Sequence, residues 1–180
     1  MLSLRAKNTQ KILNYYFLHE GSELYVNEMC RRFGLDRGNL VRKLKELEEG
    51  GILQSEWKGN QRYYSLNPSF PLFKEYKKIF VKTMGFEPAV KGLLREVPGV
   101  RKAFLFGSYA QDKMDAASDI DLLVVGTHDT IELQKKIAGL QKTMDREVNV
   151  ISMSPSEYES KRRSSPLLKS IQAKKTVSLL

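Results

Sequence analysis

The chain has 180 residues, of which 41% are hydrophobic and 28% are charged. This length accommodates one moderate core or two small ones, since domains commonly contain roughly 100 to 150 residues. The sequence has no apolar run near the roughly 20 residues that a transmembrane helix needs, and we expect a cytoplasmic location with no membrane partner. The formal net charge of +9 favours a polyanionic partner, because lysine and arginine attract phosphate groups.

The first 50 residues predict three helices. Apolar side chains at helical spacing predict the first from Leu4 to Leu18, followed by a short strand at Glu23 to Val26. Asn27 is the predicted N-cap of a second helix that ends near Phe33. Asp36 is suited to cap a third helix, which ends before two consecutive glycines at 50 and 51.

The third predicted helix, Asp36 to Glu49, has a buried apolar face and a polar outer face. The outer positions are Arg37, Asn39, Arg42 and Lys43. Beyond it, the runs ILQSEWK and QRYYSLN read as strands joined by Gly59-Asn60, a pair that suits a tight hairpin turn.

This order of elements over residues 1–68 resembles the winged helix-turn-helix fold of transcriptional regulators. The resemblance implies double-stranded DNA as a partner, with the third helix in the major groove. The hairpin would then be a wing whose Lys58 and Arg62 reach phosphates or the minor groove. Two alternatives stay open: the basic residues form only a solvated face, or the domain binds another protein.

Residues 69–98 are predicted to link two domains. Apolar residues at helical spacing among lysines and glutamates indicate a helix from Phe70 to Met84. A second helix is expected from Pro88 to Glu96, ending before Pro98-Gly99. Helices in this location often pair, and we expect a homodimer.

The region 99–180 carries the residues that indicate chemistry. An apolar strand at Val100 to Phe106 leads into Gly107-Ser108, and a second strand follows at Ile120 to Val125. Asp119 and Asp121 are two residues apart at the start of this second strand, so both side chains lie on one face. They offer two hard oxygen ligands for Mg²⁺ beside a turn whose glycine permits close approach of a phosphate.

Gly-Ser, ten intervening residues and Asp-Ile-Asp in an apolar strand resemble the polymerase-beta-like nucleotidyltransferase superfamily, particularly its minimal prokaryotic members. The resemblance implies a mixed sheet flanked by helices, an NTP as ligand or substrate and Mg²⁺ as cofactor. Asp119 and Asp121 would hold the metal and act in catalysis, and Gly107 and Ser108 would bind the nucleotide phosphates.

The third carboxylate of active family members is missing at its matching position. After a helix predicted from Thr130 to Met144, the strand REVNVISM places Asn149 where the family has aspartate. An amide can ligate a metal but cannot act as a base. Glu147 lies two residues earlier on the same strand face and is a candidate to substitute for that carboxylate; the alternative is an edge residue paired with a cation.

Helices from Pro155 to Arg163 and from Pro166 to about Ala173, with an edge strand in TVSLL, complete an α+β prediction. The leading hypothesis is a DNA-binding regulator whose second domain binds nucleotide and Mg²⁺ with weak or no catalysis. The first alternative is an active Mg²⁺-dependent enzyme that transfers a nucleoside monophosphate to a hydroxyl of a small molecule or a protein. The second is a partner-binding module of the toxin-antitoxin kind.

Overall fold

A computed structural model describes residues 6–115 and 118–180 of the chain. The fold consists of two compact units, Met1–Phe86 and Glu87–Leu180, each combining helices with one sheet. The mixture of helices and sheets agrees with the α+β prediction. The segment 69–98, predicted to hold linker helices, spans the boundary between the two units.

The first unit contains four helices and a three-stranded antiparallel sheet among its described residues. Its elements in chain order are α1 (Lys7–Leu18), β1 (Leu24–Tyr25), α2 (Val26–Phe33), α3 (Arg37–Glu49), β2 (Leu53–Lys58), β3 (Gln61–Leu66) and α4 (Phe73–Thr83). The strand order is β1-β3-β2. The predicted start of the first helix at Leu4 lies outside the described residues.

Of the two N-caps predicted for the first unit, one is confirmed and the other is wrong. Asp36 is the N-cap of α3, and its carboxylate accepts a hydrogen bond from the backbone N–H of Asn39 at 2.9 Å. The prediction that Asn27 caps α2 was wrong, because the cap is Tyr25 and the helix already includes Asn27. The Asn27 side chain instead accepts a hydrogen bond from Arg37 at 2.5 Å.

The hairpin of β2 and β3 has the predicted turn, with Gly59 at a φ of +63°. This left-handed conformation is open to glycine at little cost. The sheet is joined to the helices by Tyr16, whose buried hydroxyl donates to the backbone carbonyl of Tyr64 at 2.7 Å. That bond satisfies a hydroxyl that would otherwise be costly to bury.

Helix α4 belongs to the core of the first unit. Phe80 is fully buried, and Phe17 of α1 lies against both Phe73 and Phe80, with ring centroids 6.1 and 5.5 Å apart. An ion pair between Lys77 and Glu20 adds a polar contact at the surface. The helix is therefore fixed to the first unit by apolar packing.

The second unit contains a four-stranded mixed sheet in the order β6-β5-β4-β7. Its elements in chain order are α5 (Phe86–Arg95), β4 (Val100–Phe106), α6 (Gly107–Ala110), β5 (Ile120–Gly126), α7 (Thr130–Met144), β6 (Val148–Met153), α8 (Pro155–Lys161), α9 (Pro166–Ala173) and β7 (Val177–Ser178). β4 is antiparallel to β5 and β7, and β5 is parallel to β6 with α7 as the crossover.

Strand β5 is the centre of this unit and is buried on both faces. Leu123 and Val125 pack with Tyr158, Leu168 and Ile171 of α8 and α9. The alternate residues of β5 point to the opposite face and are equally buried. Burial of both faces explains why this strand is almost continuously apolar after its first aspartate.

No helix of the described chain is long and apolar enough to cross a membrane.

Candidate functional site

The candidate site lies where β4 ends and β5 and β6 begin. The register aligns Phe106 with Asp121 across the antiparallel pair, and Asp121 with Asn149 across the parallel pair. The residue after Phe106 is Gly107, so the sheet itself brings the glycine, the aspartate and the asparagine to one end. These polar residues occupy the start of the sheet face that α8 and α9 cover further along.

Gly107 and Asp121 are in direct contact. Gly107 adopts a φ of +68°, and a Cβ atom on it would overlap the carboxylate of Asp121. Both the backbone conformation and the close approach therefore require glycine at this position. The predicted Gly-Ser turn is the start of the short helix α6, in which the Ser108 carbonyl accepts from the backbone N–H of Lys113 at 3.0 Å.

Asn149 lies against the two aspartates. Its Nδ2 donates a hydrogen bond to Oδ2 of Asp119 at 3.2 Å. Burial raises the pKa of the Asp121 carboxyl and the nearby Asp119 carboxylate adds to the rise, whereas a hydrogen bond from Asn149 opposes it. A neutral amide thus lies beside both acids.

Glu147 is not part of this cluster. Its side chain is exposed, and its backbone carbonyl accepts from the N–H of Ile120 at 3.0 Å. Among residues 6–115 and 118–180, no three His, Cys, Asp or Glu side chains group so that they could hold a metal ion. Asp119 and Asp121 are therefore joined by the Asn149 amide and not by a third carboxylate.

The donor set still suits a hard cation. Carboxylate and amide oxygens are the protein ligands that Mg²⁺ prefers, and Asp119 and Asp121 are both only partly buried. The Asn149 nitrogen faces Asp119, so the amide must rotate before its oxygen becomes a ligand. The site therefore offers two charged ligands, Asp119 and Asp121, and a neutral third one, Asn149, after rotation of its amide.

Sequence reasoning overlooked Arg146, a charged residue that is only 8% exposed. Its Nη2 donates to the backbone carbonyl of Asp115 at 3.1 Å, which links the start of β6 to the segment that leads into β5. Arg146 lies two residues before β6, a strand in which only Val148 is buried, so no local pattern marked it. The sequence spacing of 31 residues gave no indication of the contact.

The six residues predicted to contact DNA have different surroundings in the first unit. Arg37, Asn39 and Arg42 are exposed near the N-terminus of α3, and the guanidinium groups donate to amide oxygens of Asn27 and Asn39. Both of these contacts are with neutral amides.

The other three predicted residues form ion pairs with acids of the same unit. Lys43 binds Glu46 at 2.6 Å, and Lys58 binds Glu23. Arg62 donates to both carboxylate oxygens of Glu48, at 2.8 and 2.9 Å, and to Oγ of Ser55 at 2.8 Å. The hairpin therefore holds Arg62 against the end of α3.

Residues 88–179 match the family of the nucleotidyltransferase domain. No protein of curated function matches the chain. Among solved structures, a toxin-antitoxin complex with AMP-PNP has 26% identity over 52% of this chain and 72% of that chain, with a TM-score of 0.40. A Shewanella oneidensis HEPN toxin in complex with MNT antitoxin gives 24% identity, 52% and 68% coverage and a TM-score of 0.36.

Part of the chain is also similar to a different protein. Reduced HlyU from Vibrio cholerae has 18% identity over 45% of this chain and 80% of that chain, with a TM-score of 0.37. TM-scores this low establish neither the fold nor the function of this chain, and the family match stands on the sequence of residues 88–179.

Proposed function

Because the chain belongs to the nucleotidyltransferase domain family, we propose that its second unit binds a nucleoside triphosphate with Mg²⁺. Gly107 and Ser108 would bind the phosphates, and Asp119 and Asp121 would hold the ion. The observation that carries the proposal is the contact between Gly107 and the Asp121 carboxylate, which brings the phosphate turn and the metal ligands together. When bound, the ion would neutralise the phosphate oxygens and polarise the phosphoryl group.

Transfer of the nucleotide would be slow or absent in this protein. The Asn149 amide stands beside Asp119 where the family pattern has a carboxylate, and an amide neither accepts a proton as a base nor offsets the charge of a metal. Glu147 does not group with Asp119 and Asp121 among the described residues, so its position does not support substitution for the missing acid.

Titration calorimetry with ATP, with and without Mg²⁺, tests the proposal. We expect Mg²⁺ to tighten binding and Asp121→Asn to abolish this Mg²⁺-dependent gain, because that variant removes a charged ligand while retaining the side-chain volume. Asp129→Asn is a matched control, since Asp129 caps α7 with its carboxylate and has no proposed contact with the ligand. Equal binding of ATP by the wild type and Asp121→Asn in Mg²⁺ would contradict the proposed metal site.

The second candidate is an active Mg²⁺-dependent transferase that moves a nucleoside monophosphate to a hydroxyl of a small molecule or a protein. The paired carboxylates of Asp119 and Asp121 favour it, because they are the part of the site that the family shares. Release of pyrophosphate that stops in Asp119→Asn would support this candidate. Absence of turnover across NTPs and acceptors would leave binding as the role of the site.

The first unit is proposed to bind double-stranded DNA as a winged helix-turn-helix domain. Three helices followed by a hairpin support this fold, and Arg37 and Arg42 support the function because both are exposed at the N-terminal part of α3. Their amide partners carry no net charge, so a phosphate or base would not have to displace a carboxylate. Asn39, between them, would add an amide to the same surface.

Lys43, Lys58 and Arg62 have acidic partners and would contribute less to DNA affinity. Each must give up an ion pair to reach a phosphate, which offsets part of the gain. For Arg62 we propose a positioning role: its two bonds to Glu48 would set the angle of the hairpin relative to α3.

Selection of an operator from random duplexes, followed by a salt titration, tests DNA binding. We expect Arg42→Ala to weaken binding and to reduce the slope of log K against log salt by about 1 if Arg42 contacts a phosphate. Lys45→Ala is the matched control, because Lys45 lies on the same helix, is exposed and pairs with Glu49. Failure of every duplex to bind selectively would refute the proposal.

A homodimer through α4 is part of the proposed regulator. Leu72, the N-cap of α4, and Ile79 within the helix are 51% and 54% exposed and lie seven residues apart, so they lie on the same side of the helix. Analytical ultracentrifugation of the wild type and Ile79→Lys would test it, with a monomeric variant as the expected result. A monomeric wild type would exclude this dimer.

The partner-binding alternative rests on the resemblance to minimal nucleotidyltransferases alone. Co-purification of one stable protein partner at fixed stoichiometry is the expected result if it is correct. Its absence would favour the regulator.

A further inference from the structure

We propose that Arg146 is a positioning residue that sets Asp119 for metal and nucleotide binding. The inference rests on the proposed function of the second unit, and it concerns a residue outside the family motif. Arg146 lies between the end of α7 and the start of β6 and is almost fully buried. A buried guanidinium that spans two segments restricts both, because its fork has a fixed geometry.

Arg146 bonds to Asp115, and Asp115 bonds to Ser118. The Asp115 carbonyl accepts from Arg146 at 3.1 Å and from the backbone N–H of Ser118 at 3.3 Å. The Ser118 side chain also takes part: its Oγ donates to Oδ1 of Asp115 at 2.8 Å and accepts from the Asp115 N–H at 3.0 Å. Asp115 and Ser118 are thus joined by three hydrogen bonds, and Asp119 is the next residue.

The strand residues that follow Arg146 also contact the site. Asn149 lies three residues after Arg146 on β6, and its amide donates to Asp119. The N–H of Ile120, directly after Asp119, donates to the carbonyl of Glu147, directly after Arg146. Asp119 is therefore held from two directions: by its neighbour Ser118, which bonds to the Asp115 that Arg146 holds, and by the strand that follows Arg146.

The way Asp119 is held should affect metal binding strongly and phosphate binding little. Asp119 is at the edge of β5, before the sheet register begins at Ile120, whereas Asp121 is fixed by pairing on both sides. Loss of the Arg146 bond would loosen Asp115 and the Ser118 bonded to it, and with them the carboxylate of Asp119. Outer residues that orient metal ligands typically contribute a factor of roughly 10 to 100 in metal affinity.

The test compares Arg146→Met, Arg146→Lys and Ser118→Ala in the full chain. Arg146→Met removes the charge and the fork while retaining an unbranched apolar stem. Ser118→Ala removes the two hydroxyl hydrogen bonds between Ser118 and Asp115 while leaving Arg146 in place. We expect both to weaken binding of a non-hydrolysable ATP analogue with Mg²⁺, by roughly 10- to 100-fold for Arg146→Met. Metal-free binding of the analogue should change less than about twofold, since the phosphate turn is untouched. Arg146→Lys should fall between these variants and the wild type.

Two controls distinguish a positioning role of Arg146 from a contribution to stability alone. Ile137→Ala, which opens a cavity under α7, should lower the melting temperature without changing the ratio of Mg²⁺-dependent to metal-free affinity. In an Asp119→Asn background, Arg146→Met should add almost nothing, because the carboxylate it positions is gone. An equal loss in Ile137→Ala, or a full additional loss in the double variant, would overturn the inference.

Failure of the proposed function would be seen in the wild type itself. If the wild type shows no Mg²⁺-dependent binding, the metal site is refuted, and with it the functional role of Arg146. Amide hydrogen exchange then decides the structural part independently: faster exchange at Ser118 and Asp119 in Arg146→Met supports the positioning of Asp119, and unchanged exchange overturns it.

Discussion

At residue 149 one atom separates the amide of this chain from the carboxylate of the family pattern. Asn149→Asp keeps the shape of the side chain and adds the charge and the base that the amide lacks. We expect tighter Mg²⁺ binding and a gain in pyrophosphate release of roughly 100-fold or more, the usual contribution of a general base. A coupled pyrophosphate assay measures it.

Glu147→Gln is the control for this gain. Glu147 is exposed and lies outside the cluster, so its loss should leave both binding and turnover unchanged. A large loss of turnover in Glu147→Gln would instead show that this residue supplies the missing carboxylate.

Gly107 has no room for a side chain. Gly107→Ala places a Cβ in a left-handed backbone and against the Asp121 carboxylate, so we expect a loss of stability of at least about 1–2 kcal/mol and loss of Mg²⁺-nucleotide binding. Chemical denaturation and calorimetry measure the two effects.

Gly139→Ala is the matched substitution within the same unit. Gly139 lies inside α7 with open space at the position of a Cβ, so the change should stabilise the protein by about 0.5–1 kcal/mol and leave binding intact. Equal behaviour of the two variants would contradict the assigned role of Gly107.

The stability of helix α3 should depend on the ionisation of its N-cap. Hydrogen bonds from the Asn39 backbone and side chain lower the pKa of its N-cap, Asp36. Because the folded-state pKa lies below the unfolded one, the stabilisation is present at neutral pH and is lost as the pH falls through the lowered pKa. Asp36→Ala should therefore lower the melting temperature by a few degrees at pH 7 and have a smaller effect in strong acid.

Asp36→Asn distinguishes capping from charge. Asparagine caps a helix about as well as aspartate but does not titrate, so this variant should stay close to the wild type at pH 7 and lack the acid-dependent loss. Thermal melts followed by circular dichroism over a pH series measure both variants. An identical pH dependence in Asp36→Asn would assign the acid sensitivity to other groups.

The two units give a prediction for the whole molecule. The core of the first unit uses residues of α1 to α4 and its own sheet, and the sheet of the second unit is covered by helices of its own sequence. We expect residues 1–85 and 86–180, expressed separately, each to melt cooperatively. The first should retain DNA binding and the second nucleotide binding. An unfolded fragment 86–180 would contradict this division.

The sequence determined most of the elements and the composition of the candidate site. The ranges of α7 and α9 and the turn at Gly59 follow from local patterns of apolar residues, caps and glycines, which act over a few neighbouring positions. Asp119 and Asp121 could be assigned to one strand face because side chains two apart point the same way. The α2 cap was misplaced because Asn27 bonds to Arg37, ten residues away.

Only the tertiary structure decided how distant polar residues are connected. Arg62 was expected as a wing residue that reaches DNA, yet it binds Glu48 of α3, and Arg146, for which the sequence predicted no role, is buried and bonds to Asp115. The amide of Asn149 likewise faces Asp119. These contacts join residues 14 to 31 positions apart, and their energy depends on distances that the packing of helices and sheets sets, which no local periodicity encodes.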